Sequence, residues 1–139
     1  MKTIKDLKER LIKEEGLRLK PYRCTSNKLT IGIGRNIEER GISEAEALYL
    51  LENDIEIVLD ELYASLHWLA EINTTVRMIL IDMAFNMGVP RLLAFKNTLK
   101  YIREGDYKKA SVEMLDSRWA GQVPIRAKGL SDLMAEVES

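Results

Sequence analysis

Apolar residues recur at three- and four-residue intervals along most of this chain, and the rhythm lapses between Leu19 and Gly34. Before the lapse, Ile4, Leu7, Leu11 and Ile12 keep helical spacing until Gly16. Thr3 with Asp6 three residues on supplies a capping start, so the pattern predicts a first helix of about three turns. Within the lapse come Pro21, the polar cluster Thr25-Ser26-Asn27-Lys28 and the β-favouring run Leu29-Thr30-Ile31-Gly32-Ile33-Gly34. That texture predicts a hairpin or short sheet.

After the lapse, Ser43 and Glu46 form a second capping box, and Ala47, Leu51, Ile55, Val58 and Leu62 trace one stripe beyond it. The spacing predicts a long helix over about 43–64. Asn73 or Thr74 can cap the next helix, whose Val76, Ile79, Leu80, Met83 and Met87 read as buried and which Gly88 and Pro90 stop. Shorter helical patterns run from Leu92 to Arg103, Tyr107 to Leu115 and Ile125 to Val137, punctuated by Gly105, Gly121 and Pro124. The fold class is therefore α+β and mainly helical, within one domain spanning 1–139. A small sheet-bearing lobe over 13–45 leads through the long helix to an all-helical lobe over 65–139, which also takes in helix 3–14.

Composition narrows the function classes. Residues 1–35 hold ten Lys/Arg against four Asp/Glu, residues 36–90 two against eleven, and the remainder nine against seven. The ends are basic and the middle acidic, but a net charge of −1 gives no field that would gather nucleic acid. A basic first segment is compatible with a polyanionic partner or with an ordinary mixed-charge surface. No window approaches the roughly 18 apolar residues of a membrane span, and the amino terminus interleaves charge with apolar residues, so no stable membrane insertion is expected. Cys24 is the one cysteine and cannot close an internal disulfide, which fits a reducing cytoplasm. His67, the one histidine, stands beside Trp68 and reads as structural, so no metal is expected. Gly32-Ile33-Gly34 is too short for a phosphate-cradling loop, and no cofactor is expected.

Three reactive groups flank the hairpin: Glu15 at the end of the first helix, Cys24 nine positions on, and Thr30 six further. Cleaving a glycosidic bond needs an acid for the leaving oxygen and, with inversion, a group that activates water on the opposite sugar face. Spacing alone does not separate that chemistry from a surface Glu, a small buried Cys and a strand Thr. The surrounding residues add more: Glu15-Gly16-Leu17-Arg18-Leu19-Lys20-Pro21-Tyr22 and Leu29-Thr30-Ile31-Gly32-Ile33-Gly34 together resemble the active-site segment of the phage-type lysozymes, glycoside hydrolase family 24. That family's pattern of Glu, eight residues, Asp or Cys, five residues, Thr is met at both gaps. The resemblance continues at Phe85-Asn86-Met87-Gly88, at Phe95 with Asn97-Thr98-Leu99, and at Ser117-Arg118-Trp119 with Gln122, Pro124, Arg126 and Ala127.

The resemblance implies a two-lobed lysozyme with substrate in the cleft between its lobes. Its substrate would be bacterial peptidoglycan, cut between N-acetylmuramic acid and N-acetylglucosamine. Glu15 would be the acid, with Cys24 and Thr30 holding or activating water. Asn36, Phe85, Thr98 and Glu113 would line the saccharide groove, although core packing accounts equally for Phe85 and is the better reading of Trp119. A monomer held in the host cytoplasm would reach the wall through a holin-type pore. Two departures stand out. The stretch from Gly34 to Gly41 is shorter than in the family's best-known member, and Arg35 replaces a histidine. Arg35 is expected to pair with an acidic residue such as Glu38, to meet a wall carboxylate, or to lie solvated. Cys24 stands where Asp is commoner, which leaves open a base, nucleophile or water-positioning role. A lytic transglycosylase, which adds no water, and an inactive wall-binding module on the same fold are the competing readings.

Overall fold

The structure, a computed structural model, describes residues 1–138. Its class is the expected one, a mainly helical α+β fold with one small antiparallel sheet. The chain divides into two compact units, Met1–Tyr49 and a second from Leu50 onward.

In the first unit, α1 (Ile4–Glu15) starts at the predicted capping box. The Asp6 N–H donates to the Thr3 hydroxyl at 3.1 Å and the Thr3 N–H donates back to the Asp6 carboxylate at 3.3 Å. Gly16 ends the helix at φ +76°, its N–H donating to the Ile12 carbonyl at 2.8 Å. Three strands follow, β1 (Arg18–Arg23), β2 (Leu29–Gly32) and β3 (Arg35–Asn36), paired antiparallel in chain order. Across the sheet Tyr22 pairs with Thr30, and Thr30 with Asn36. A one-turn helix α2 (Ile37–Arg40), which no apolar pattern announces, follows directly, with the Asn36 side chain accepting from the Glu39 N–H at 3.0 Å. Gly41, at φ +61°, turns the chain into α3 (Glu44–Ser65). There the Glu46 N–H donates to the Ser43 hydroxyl at 3.1 Å and the Ser43 N–H to the Glu46 carboxylate at 2.8 Å, which completes the second capping box.

The second unit holds the apolar core. After α3 come a 3-10 turn (His67–Glu71), α4 (Thr74–Met87), α5 (Val89–Leu93), α6 (Lys96–Arg103), α7 (Tyr107–Leu115), α8 (Arg118–Gln122) and α9 (Pro124–Glu136). Asn73 caps α4 by accepting from the Thr75 and Val76 N–H groups at 2.8 and 3.2 Å. Val76, Ile79, Leu80 and Met83 are buried as their spacing predicts, with Met87 packed at the edge. The Arg77 guanidinium donates to the carbonyls of Leu69, Ala70 and Ile72, satisfying the end of the 3-10 turn. Helices α7 and α9 pack closely, joined by a buried bond from the Ser131 hydroxyl to the Ser111 carbonyl at 2.9 Å. The apolar pattern from Leu92 to Arg103 is not one helix. It breaks at Ala94-Phe95, and Phe95 turns inward to meet Trp119 edge-on, ring centroids 6.2 Å apart.

Candidate active site

Glu15 is the last residue of α1, and the Gly16 turn leaves its side chain exposed. Its neighbour is the glycine turn between β2 and β3. A methyl group built on Gly34 would stand 2.6 Å from Glu15 Oε2 and 2.9 Å from Cδ, so the glycine backbone lies flush against the carboxylate. Gly34 also sits at φ +69°, where a side chain is strained. Among the described residues no hydrogen bond or ion pair engages the Glu15 carboxylate, which leaves both oxygens free for proton transfer.

Cys24 and Thr30 meet at the backbone of Lys28. The Lys28 carbonyl accepts from the Cys24 N–H at 3.0 Å and from the Thr30 hydroxyl at 2.8 Å. The turn closes with the Asn27 N–H donating to the Cys24 carbonyl at 2.8 Å, and Asn27 takes φ +59°, a conformation its short amide side chain tolerates. Hydrogen-bond donation from the Lys28 N–H, then from the Thr30 hydroxyl and the Ser26 N–H, holds the Cys24 thiol below its ordinary pKa. The one hydroxyl proton of Thr30 cannot serve both acceptors, so it reaches the sulfur only by turning away from the Lys28 carbonyl. Thr30 is only 3% exposed, on the central strand, with Tyr22 and Asn36 directly opposite on the same face. The Arg18 guanidinium covers the Tyr22 ring at 4.5 Å.

Arg35 does not pair with Glu38. Glu38 is engaged by Arg23 at 2.8 Å, by Lys28 at 3.7 Å and by the Leu29 N–H at 3.4 Å. Arg35 instead grips Glu46 with both arms of its guanidinium, at 2.9 and 2.8 Å, and donates to the Gly41 carbonyl at 3.1 Å. The turn at Gly41 returns the start of α3 to β3, so the partner is eleven residues away. Arg35, then the Ser43 N–H and hydroxyl, hold the Glu46 carboxyl down to about 2. Asn36 shares the row of Thr30, but its amide caps α2 and also donates to Glu39 at 3.3 Å.

Within the second unit, Thr98 on α6 and Glu113 on α7 line one open cavity of about 230 Å³ together with Phe95, Asn97, Asp116 and Ser117. Thr98 is 2% exposed and Glu113 half-buried. Phe85 on α4, 40% exposed, does not line that cavity. Trp119 belongs to the core, its indole N–H donating to the Asn86 side chain at 2.8 Å. Residues 12–133 match the family described as phage lysozyme. The chain belongs to the phage lysozyme family.

Phage lysozymes are glycosidases of the bacterial wall, and this chain is accordingly a lysozyme-like enzyme with peptidoglycan as its substrate. It is similar to two proteins of Dictyostelium discoideum named probable T4-type lysozymes 1 and 2. Identities are 29% and 27%, and each comparison covers 89% of this chain and 90% of the relative. It is 32% identical to the SAR-endolysin of Escherichia phage Mu over 88% of this chain and 71% of that protein. No helix among the described residues is long and apolar enough to cross a membrane. Two parts of this lysozyme's site escape a reading of the residues alone. Gly34 announces itself only as a glycine in a turn, and Glu46 only as half of a capping box. Each acquires its second contact from the return of the chain on itself.

Proposed function

We propose that this lysozyme hydrolyses the β-1,4 bond between N-acetylmuramic acid and N-acetylglucosamine with inversion. Glu15 protonates the leaving oxygen, while Cys24 and Thr30 hold and activate the attacking water. What supports this reading is the turn at Lys28, whose carbonyl ties the Cys24 backbone to the Thr30 hydroxyl while backbone donors favour the thiolate. A thiolate at that position can take the proton that a carboxylate takes in relatives carrying Asp. Saccharide contacts are assigned to Asn36, Phe85, Thr98 and Glu113. The enzyme serves host-cell lysis, a role in keeping with its similarity to a phage endolysin; it acts as a monomer and reaches the wall through a holin-type pore.

The test is the clearing of purified Gram-negative peptidoglycan by folded wild type, Glu15→Gln, Cys24→Ala and Cys24→Asp. Loss in Glu15→Gln and Cys24→Ala with activity kept in Cys24→Asp supports the assignment. Full activity in Cys24→Ala removes the cysteine from the mechanism. Mass spectrometry of the products distinguishes hydrolysis from transglycosylation, whose anhydro ends are lighter by one water.

A further inference from the structure

The exposed Glu15 carboxylate takes no hydrogen bond among the described residues, and on one side it stands against the Gly34 turn. Whatever holds that turn in place limits the acid on that side. The turn itself is short and carries two glycines at positive φ, Gly32 at +72° and Gly34 at +69°, so its own residues hold it weakly. The next residue, Arg35, is held by three hydrogen bonds, two to Glu46 and one to the Gly41 carbonyl, and is paired with Ile31 across the sheet. Glu46 is in turn fixed by the Ser43 N–H within the capping box of α3.

We propose that Arg35 is a positioning residue: clamped between Glu46 and Gly41, it holds the Gly34 turn against Glu15 and so keeps the acid aimed at the leaving oxygen. The inference rests on the reading of Glu15 as the catalytic acid. A planar guanidinium suits the task because its fork donates to one carboxylate in one orientation, where an ammonium pivots about a single point. The clamp lies outside the reacting groups, so its loss acts on the rate of the bound complex more than on the binding of glycan.

The experiment measures kcat and KM on soluble, uncrosslinked peptidoglycan strands for Arg35→Ala, Arg35→Lys, Glu46→Gln and the double variant Arg35→Ala/Glu46→Gln. Glu15→Gln is the reference, and every protein is assayed below its own melting temperature. Misplacing a catalytic group by a fraction of an ångström costs about tenfold in rate, so Arg35→Ala and Glu46→Gln should each lose about that in kcat with KM within about twofold. Because both break one clamp, the double variant should fall little further than either single. Arg35→Lys, which keeps the charge and folds most readily, should recover part of kcat. A residue that only stabilises the fold would lower the melting temperature and leave kcat of the folded enzyme unchanged. That result, or fully additive losses, overturns the positioning role. Wild-type kcat in Glu15→Gln overturns instead the assignment beneath it.

Discussion

Each of the two units of this lysozyme is stabilised internally by different physics. In the second, side chains from Leu62 to Met134 form one continuous buried cluster, with Leu62, Leu69, Leu80, Met83 and Met114 fully enclosed. In the first, Thr30 alone is buried among the described residues, and the frame consists of capping boxes, strand pairing and ion pairs at Arg23, Lys28 and Arg35. Apolar burial is strong and undirected, whereas hydrogen bonds and ion pairs are individually weak but fix angles. The unit that carries Glu15, Cys24 and Thr30 is thus the one whose geometry is set by directional contacts.

The contrast can be broken most forcefully in the core. Leu80→Ala should cost about 2–5 kcal/mol in denaturant unfolding, through lost transfer energy and the cavity left behind. Truncating exposed Leu19 in the sheet should stay within about 0.5 kcal/mol. Equal losses at the two positions would contradict the difference between the units. Next in size, Gly34→Ala should cost about 1–2 kcal/mol for the left-handed backbone and should also depress peptidoglycan clearing, since its methyl group meets the Glu15 carboxylate. Clearing at the wild-type rate would show that the turn does not constrain the acid. Asn73→Ala should cost about 1 kcal/mol by leaving the first N–H groups of α4 unmatched, measurable as a lowered melting temperature with clearing unchanged at 25 °C.

The smallest effect concerns Glu46 and is read against pH. Its carboxyl is held down to about 2, so the folded chain binds that proton less readily than the unfolded chain, whose carboxyl titrates near about 4.3. The stabilisation is therefore present above the ordinary carboxyl range and is lost as pH falls from there toward 2. Melting curves from pH 6 down to about pH 2 should fall less steeply for Glu46→Gln than for wild type. Parallel curves would mean that the pair with Arg35 adds nothing to stability.

Local rules made much of this molecule legible from its residues. Thr3, Ser43 and Asn73 cap the helices their neighbours announce because capping is decided within four residues, and the stripe on α4 is buried because its period leaves no other face. Glu15, Cys24 and Thr30 are singled out by a different route, the likeness of their surroundings to the phage-type lysozymes, because no local rule of capping or period marks three residues spread over 16 positions. The partner of Arg35 was not legible. Glu38 is nearer in sequence, but it is taken by Arg23, Lys28 and the Leu29 N–H, and only the return at Gly41 brings Glu46 into reach. The break at Phe95 carried no signal either, since its side chain makes no capping bond and is drawn inward by the core. Helix α2 depends on one asparagine, and its single turn is too short for periodicity to register.

Glu46 answers to two neighbours at once, the Ser43 N–H that starts a helix and the Arg35 guanidinium that anchors a strand. Such a residue constrains the way a lineage can drift. Where Arg35 is kept, position 46 has to remain an acid of that length, because glutamine closes the helix start but offers the guanidinium one oxygen in place of two. Where Arg35 has been exchanged for an uncharged residue, glutamine becomes as good as glutamate there. Among descendants of this gene, positions 35 and 46 should therefore change together while Ser43 varies only among short cap-forming residues.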